Sequence, residues 1–225
     1  VIVDILSLFP GYFKGPFDES ILKRAREKGI LDIRLVDIRD FADNRYRKVD
    51  DRPYGGGPGM VMMPQPLKAA IHQVRSPKAR VIYLSPQGPL LNAAKCRSLA
   101  KEEHLVLLCG HYEGIDQRIL ETEVDEEISI GDYVLTNGCL AAIVLLDAVA
   151  RFIPDVLGHA SAAEEDSFEQ EGLLDYPHYT RPEVFEESTV PQVLLSGNHK
   201  EIASWRAEQA LKKTKMVRPD LLKKK

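Results

Sequence analysis

The residues best able to do chemistry in this chain lie in glycine-bearing segments that follow apolar runs. Leu105-Val106-Leu107-Leu108 leads into Cys109-Gly110-His111-Tyr112-Glu113-Gly114-Ile115-Asp116, and Ile130-Gly131-Asp132-Tyr133-Val134-Leu135-Thr136-Asn137-Gly138 follows about one helix later. Upstream, Arg80-Val81-Ile82-Tyr83-Leu84 reads as a strand ending in Ser85-Pro86-Gln87-Gly88. Ligands of open α/β sheets sit beyond the carboxyl ends of strands, so these strand-end loops are expected to converge on one pocket. Any one of Gly110, Gly114, Gly131 and Gly138 could merely make a turn. Together they suit a backbone that approaches a ligand closely and hydrogen-bonds it.

Charge narrows the ligand. The loops carry Glu113, Asp116 and Asp132 but no Lys or Arg before Arg118, and neither G-x-x-x-x-G-K-[ST] nor G-x-G-x-x-G occurs. A neutral or cationic cofactor with hydrogen-bonding edges therefore fits better than a nucleoside polyphosphate. Arg151 closes the helical run that follows the last loop, where it could simply compensate the helix dipole or could face an anionic group. Asp166, in Glu164-Glu165-Asp166-Ser167-Phe168, reads either as one more solvated carboxylate or as a base. His72, His104, His111, His159, His178 and His199 show no metal-ligand spacing, and no serine sits in a nucleophile elbow. Cys96, Cys109 and Cys139 are an odd set without C-x-x-C, which argues against a disulfide framework or a zinc site.

The elements that must position these residues alternate. Strands are expected at 1–8, 33–38, 81–84, 105–108 and 127–130, and helices at 18–28, 66–74, 92–103, 115–123 and 140–152, with Asn92 as an N-cap. Such alternation predicts an α/β fold, a mostly parallel sheet with helices on both faces. Tyr54-Gly55-Gly56-Gly57-Pro58-Gly59-Met60 cannot favour a helix and must be either flexible or tightly wrapped. A boundary is expected after Leu157, giving a first domain over 1–157, a linker over 158–171 and a small, all-helical domain over 172–225. In the latter, Asn198 and Glu201 resemble a capping box, and Trp205 shares a helix face with Ile202 as an expected core anchor.

The chain has 225 residues, 44% of them hydrophobic and 28% charged, a composition able to bury a real core. Its longest apolar stretch, Cys139 to Leu146, is too short for the roughly 20 residues of a membrane span, and the amino end reads as a strand rather than a signal peptide. A cytoplasmic protein is expected. The net charge of −4 hides two basic clusters: Arg39, Arg45, Arg47, Lys48 and Arg52, and the tail Arg206, Lys212, Lys213, Lys215, Arg218, Lys223, Lys224 and Lys225. Either cluster could be a solvated face; both flank the candidate pocket in sequence, which suits phosphate-backbone contact.

At this point the motifs meet a known pattern. Ser85 to Gly88, Gly110 to Asp116, Ile130 to Thr136, Tyr54 to Met63 and Leu173-Leu174-Asp175-Tyr176-Pro177-His178-Tyr179-Thr180-Arg181-Pro182 closely resemble the bacterial tRNA (guanine-N1)-methyltransferase family, and the resemblance covers nearly the whole chain. It implies the SPOUT class of fold, with a trefoil knot that general rules of chain topology would not anticipate. It also implies S-adenosylmethionine as cofactor, tRNA as substrate and a homodimer. By the same resemblance Tyr83, Leu84, Ser85, Pro86, Gly110, Tyr112, Glu113, Ile130, Gly131, Asp132, Tyr133, Val134, Leu135 and Gly138 would bind the cofactor. Asp166 and Arg151 would be catalytic, and a need for Mg²⁺ is implied, with Glu113 as its candidate contact.

The implied chemistry is coherent with those side chains. Guanine N1 carries a proton at neutral pH, so methylation there calls for a base, Asp166, and for stabilisation of charge growing on O6, by Arg151. The chain departs from the family pattern in a few places. Asn137, Cys139 and Ala141 stand where the family usually has Gly, Glu and Pro; Asn137 is expected to keep the loop shape through its tolerance of positive φ, while Cys139 and Ala141 lose a carboxylate and a rigid ring. Asp155 replaces a usual glycine, and no basic residue follows Gly88. Two other readings compete: a related knotted methyltransferase acting at another RNA atom such as a ribose 2′-hydroxyl, and a non-catalytic adenosyl- or tRNA-binding module.

Overall fold

The computed structural model describes residues 1–158, 166–169 and 172–223, which form two compact units, Val1–Gly158 and His159–Lys225. The expected linker over 158–171 falls largely outside the described residues.

The first unit runs β1 (Ile2–Ser7), α1 (Ser20–Glu27), β2 (Asp32–Asp37), β3 (Asp50–Asp51), β4 (Val61–Met62), α2 (Pro64–Val74), β5 (Ala79–Leu84), α3 (Ala93–Leu99), β6 (His104–Cys109), α4 (Gln117–Glu123), β7 (Glu126–Ile128) and α5 (Cys139–Ala150). Its main sheet has the order β2-β1-β6-β5-β7, with every neighbouring pair parallel. Central β6 is buried along its whole length, which is why it reads as an unbroken apolar run rather than an alternating one.

Alternation of side chains across the strands sorts the core into two faces. Val3, Ile5, Ile82, Leu84, Leu105 and Leu107 pack with residues of α1, α3 and α5. Leu6, Val81, Tyr83, Val106 and Leu108 pack with Leu67, Ala70 and Ile71 of α2 and Ile119 of α4. Each fully buried Leu or Ile of this kind contributes about 1.5–3 kcal/mol relative to exposure. The fold is therefore α/β, with a parallel sheet covered on both sides.

The expected elements are present, with ends shifted by local hydrogen bonding. Asn92 caps α3, its side-chain oxygen accepting the Lys95 N–H at 2.9 Å. That helix stops at Leu99 because the N–H groups of Lys101 and Glu102 turn back to the carbonyls of Ser98 and Leu99, at 3.2 and 3.1 Å. The last strand ends at Ile128, short of Ile130, because the Ser129 hydroxyl donates to the Gly131 carbonyl at 2.9 Å and folds the chain over. The antiparallel β3–β4 pair has no periodic signal in the sequence. It closes the base of the glycine loop, which the Met62 N–H pins to the Gly114 carbonyl at 2.9 Å.

The second unit contains β8 (Val184–Phe185), β9 (Ser188–Thr189), α6 (Gln192–Leu195) and α7 (His199–Val217). The expectation of a purely helical domain is corrected by the β8–β9 hairpin, whose strands are too short to show periodicity. Asn198 does cap α7, accepting from the Lys200 and Glu201 N–H groups. Trp205 is not a fully buried anchor: it is half-buried, tilted against Tyr179 at 6.4 Å between ring centroids. Ala210 and Thr214 are the buried residues of α7, since a unit this small leaves most of a long helix uncovered.

Candidate cofactor cleft

The carboxyl ends of β5, β6 and β7 open into one cleft of about 200 Å³. Tyr83, Leu84, Ser85, Pro86, Gly110, Tyr112, Glu113, Ile130, Gly131, Tyr133, Val134, Leu135 and Gly138 all line it. Asp132 does not. The Tyr133 N–H donates to the Gly131 carbonyl at 2.9 Å, and this tight turn leaves Asp132 exposed at its tip. His111, Gly114, Ser129, Thr136, Asn137 and Ala141 also line the cleft; all but Ala141, which belongs to the first turn of α5, are marked in the sequence by their place in the glycine loops or at their strand ends.

Backbone pairing between loops fixes this geometry. The Gly138 N–H donates to the Gly110 carbonyl at 2.9 Å, and a Cβ on Gly138 would lie 3.0 Å from both the Cys109 Cα and the Gly110 nitrogen. The loop before α5 thus rests directly on the loop after β6. Leu91 N–H donates to the Ser129 carbonyl at 2.8 Å and Ser129 N–H to the Pro89 carbonyl at 3.0 Å, so the loop after β5 is held to the loop after β7. Tyr112 has φ 59°, a left-handed conformation that is unusual for an aromatic residue and costs of order 1–3 kcal/mol unless its surroundings hold it. Two anchors flank it: the Glu113 N–H donates to Met60 and the Gly114 N–H to His111, at 3.0 and 3.2 Å.

The departures at α5 have structural explanations. Asn137 does not use positive φ; its side-chain carbonyl accepts the Cys139 N–H at 2.9 Å and occupies a donor of the first helical turn. Cys139 is fully buried, 3.1 Å from the Ser7 hydroxyl. The contact with Cys109 outweighs burial and, with the nearby His111 ring and the Ser7 hydroxyl, holds the Cys139 thiol below the usual thiol range. Burial and the same contact push Cys109 well up. That lowering goes with the place of Cys139 in the first turn of α5, where the helix dipole favours negative charge. Asp155 has φ 64°, which accounts for the glycine the family pattern usually carries there.

The ionisable groups lining the cleft are Glu113, His111 and the tyrosines 83, 112 and 133; no Lys or Arg is among them. Burial, with Glu127 and Cys109 adding to it, pushes the Tyr83 hydroxyl up to about 12, so it is a neutral hydrogen-bonding group at ordinary pH. The cleft thus offers backbone groups and hydroxyls to a ligand that is not a polyphosphate.

Neither candidate catalytic residue is among the side chains that line the cleft. Arg151 is the exposed C-cap of α5, and the helix's 12 residues put it roughly 18 Å along the axis from the cleft end. Asp166 belongs to the second unit, where it shares a cavity with Leu174, Tyr176, His199 and Arg206. Among the described residues no group of three or more His, Cys, Asp or Glu could hold a metal ion. The histidines are used otherwise: His104 bridges Asp4 and the Ser76 hydroxyl at 2.7 and 2.8 Å, His72 meets Glu123 at 2.9 Å and His178 meets Asp175 at 2.8 Å.

Comparison with known proteins agrees with this architecture. Residues 1–224 match the family model described as tRNA (Guanine-1)-methyltransferase TrmD. A protein of Protochlamydia amoebophila named tRNA (guanine-N(1)-)-methyltransferase is 80% identical over 222 residues, 99% of this chain and 100% of that protein. Proteins of the same name from Chlamydia pneumoniae and Geobacter metallireducens are 59% and 56% identical, over 97% and 98% of this chain. The chain spans 60% of the length of the C. pneumoniae protein and 91% of that of G. metallireducens.

Proposed function

The chain belongs to the tRNA (guanine-1)-methyltransferase family, and from that premise we propose that it transfers a methyl group from S-adenosylmethionine to N1 of the guanosine 3′-adjacent to the anticodon of tRNA. The observation that carries this reading is the convergence of the loops after β5, β6 and β7 on a cleft without lysine or arginine. Such a lining suits an adenosyl ligand whose sulfur is cationic. When bound, the cofactor supplies an electrophilic methyl group on a sulfonium. The chain's own residues do the rest: cleft backbone groups and Tyr83 orient the ligand, Asp166 takes the N1 proton, and Arg151 stabilises charge on O6. The trefoil knot that the family implies is part of this proposal, and the loops at 85–91, 110–116 and 129–138, which hydrogen-bond one another, are where it would be tied.

Residues 1–157 would hold the cofactor, and 172–225 would take part in gripping tRNA. In the second unit Lys212, Lys213 and Lys215 are exposed on α7, and the Arg206 guanidinium lies over the Tyr176 ring at 4.7 Å, a surface suited to phosphates and bases. Glu113 is the cleft's one carboxylate, which does not by itself make a protein site for Mg²⁺. A cytoplasmic location is part of the same proposal, and no described helix is long and apolar enough to cross a membrane.

Unmodified tRNA incubated with the protein and S-adenosylmethionine is expected to yield 1-methylguanine, identified by mass after digestion to nucleosides. A methyl group found on a ribose 2′-oxygen would favour the related-methyltransferase reading, and tight binding without transfer would favour the non-catalytic module.

A homodimer is part of the same reading. Leu140 and Val144 are 45% and 48% exposed, an apolar pair on the same face of α5 as Asp147 and Arg151, and a second copy would cover that face. The helix-length separation between Arg151 and the cleft supports sites completed between chains. Where Asp166→Ala and Glu113→Ala are each inactive alone, mixing them under subunit exchange is expected to restore activity, because one of the two sites in each heterodimer has an intact cleft and an intact Asp166. No restoration despite demonstrated exchange would mean that each chain builds its own site.

A further inference from the structure

His111 is 7% exposed and lines the cofactor cleft, yet neither ring nitrogen makes an aligned hydrogen bond. Its ring is held in place on two sides, tilted against Phe9 at 5.1 Å between centroids and edge-on to Tyr112 at 6.4 Å. Cys139, itself fixed by the Ser7 hydroxyl, is close enough to feel the imidazole without giving either nitrogen a well-directed bond. Buried polar groups are nearly always satisfied, so a buried imidazole at the wall of a cleft with free donor capacity calls for a partner from the ligand.

The chemistry of that partner follows from the rest of the wall. His111 is the only lining side chain that can carry positive charge, since the lining contains neither lysine nor arginine. An adenosyl amino acid presents an uncharged base and ribose, a cationic sulfur, an ammonium and a single anion, its carboxylate. Backbone groups, hydroxyls and Glu113 suit the first. The carboxylate is best matched by a donor that can be cationic. We infer that His111 is a binding residue for the carboxylate of the methionyl arm of the cofactor, with Cys139 and Ser7 as positioning residues behind the ring. This inference rests on the reading of the cleft as the S-adenosylmethionine site.

The test compares two ligands that share the adenosine and the sulfur but differ in the amino-acid arm. S-adenosylhomocysteine carries the carboxylate; decarboxylated S-adenosylhomocysteine keeps the ammonium but not the carboxylate. Titration calorimetry on the full chain is expected to show that His111→Ala weakens S-adenosylhomocysteine by about 10-fold or more while leaving the decarboxylated ligand within about twofold, the scale of removing one charge-assisted hydrogen bond. His111→Gln, which keeps the bulk of the side chain, guards against a folding defect and is expected to show the same selective loss in smaller measure. Equal weakening of both ligands, or of neither, by both variants would overturn the carboxylate assignment and leave the cleft reading standing. Failure of the wild-type protein to bind either ligand would remove the cleft reading, and this inference with it.

Discussion

Asp166→Asn is expected to lower methyl transfer by about 10²- to 10⁴-fold, the range typical of a positioned general base, with affinity for tRNA nearly unchanged. Asn keeps the size and hydrogen-bonding shape of Asp but cannot accept the N1 proton. An ordinary Asp, with a pKa of about 3.9, is a weak base, so the reaction depends on a stabilised guanine oxygen, the role assigned to Arg151. Neutralising Lys212, Lys213 and Lys215 on the exposed face of α7 should have the opposite signature. Binding of tRNA weakens and its salt dependence flattens by about one unit of slope for each phosphate no longer neutralised, while the chemical step at saturation survives. Single-turnover rates from about pH 6 to about pH 9 decide the matter. If the Asn variant matches the wild type throughout, Asp166 is not the base.

Much of the architecture was legible because the relevant signals are local. Leu105 to Leu108 announces a strand buried on both faces, Asn92 announces a helix start, and the glycine loops announce strand ends. What stayed hidden depends on long-range contact. Asp132 and Tyr133 are adjacent in the same loop, yet one turn sends Tyr133 into the cleft wall and leaves Asp132 outside. The value of Asn137 lies in a bond to Cys139 rather than in its backbone angle, which residue preferences alone would have favoured. The Ser7, Cys109, His111 and Cys139 cluster joins the end of β1 to the end of β6 and the start of α5, over as many as 132 positions of sequence, and no spacing rule could have assembled it. Trp205 is only half-buried for a different reason: helical periodicity identifies a face but not how much of it is covered.

Gly88→Ala is expected to be the most damaging conservative change in the first unit. A Cβ at Gly88 would lie 2.6 Å from the Glu127 carbonyl carbon and 2.6 Å from the Ile128 nitrogen, both backbone atoms of β7. No rotamer change can relieve that clash. β7 cannot retreat easily, because it pairs with β5 at Ile82, Tyr83 and Leu84, and its Ile128 carbonyl accepts the Ser85 N–H at 3.1 Å. The loop after β5 cannot retreat either without releasing its bonds to Ser129, and both segments form the cleft wall. Overpacking of this kind costs about 1–3 kcal/mol, and for a chain of this size each kcal/mol corresponds to roughly 2–4 °C of melting temperature. Affinity for S-adenosylhomocysteine should fall by at least about 10-fold in protein that remains folded, because displacement by even a few tenths of an ångström separates the hydrogen-bonding edges of Ser85 and Ser129. Gly11→Ala is the control, since a Cβ there meets nothing within 4 Å. Melting and calorimetric titration of the two variants side by side measure the cost of one methyl group where two backbones meet. Wild-type behaviour of Gly88→Ala in both assays would show that the loops are not locked together as described.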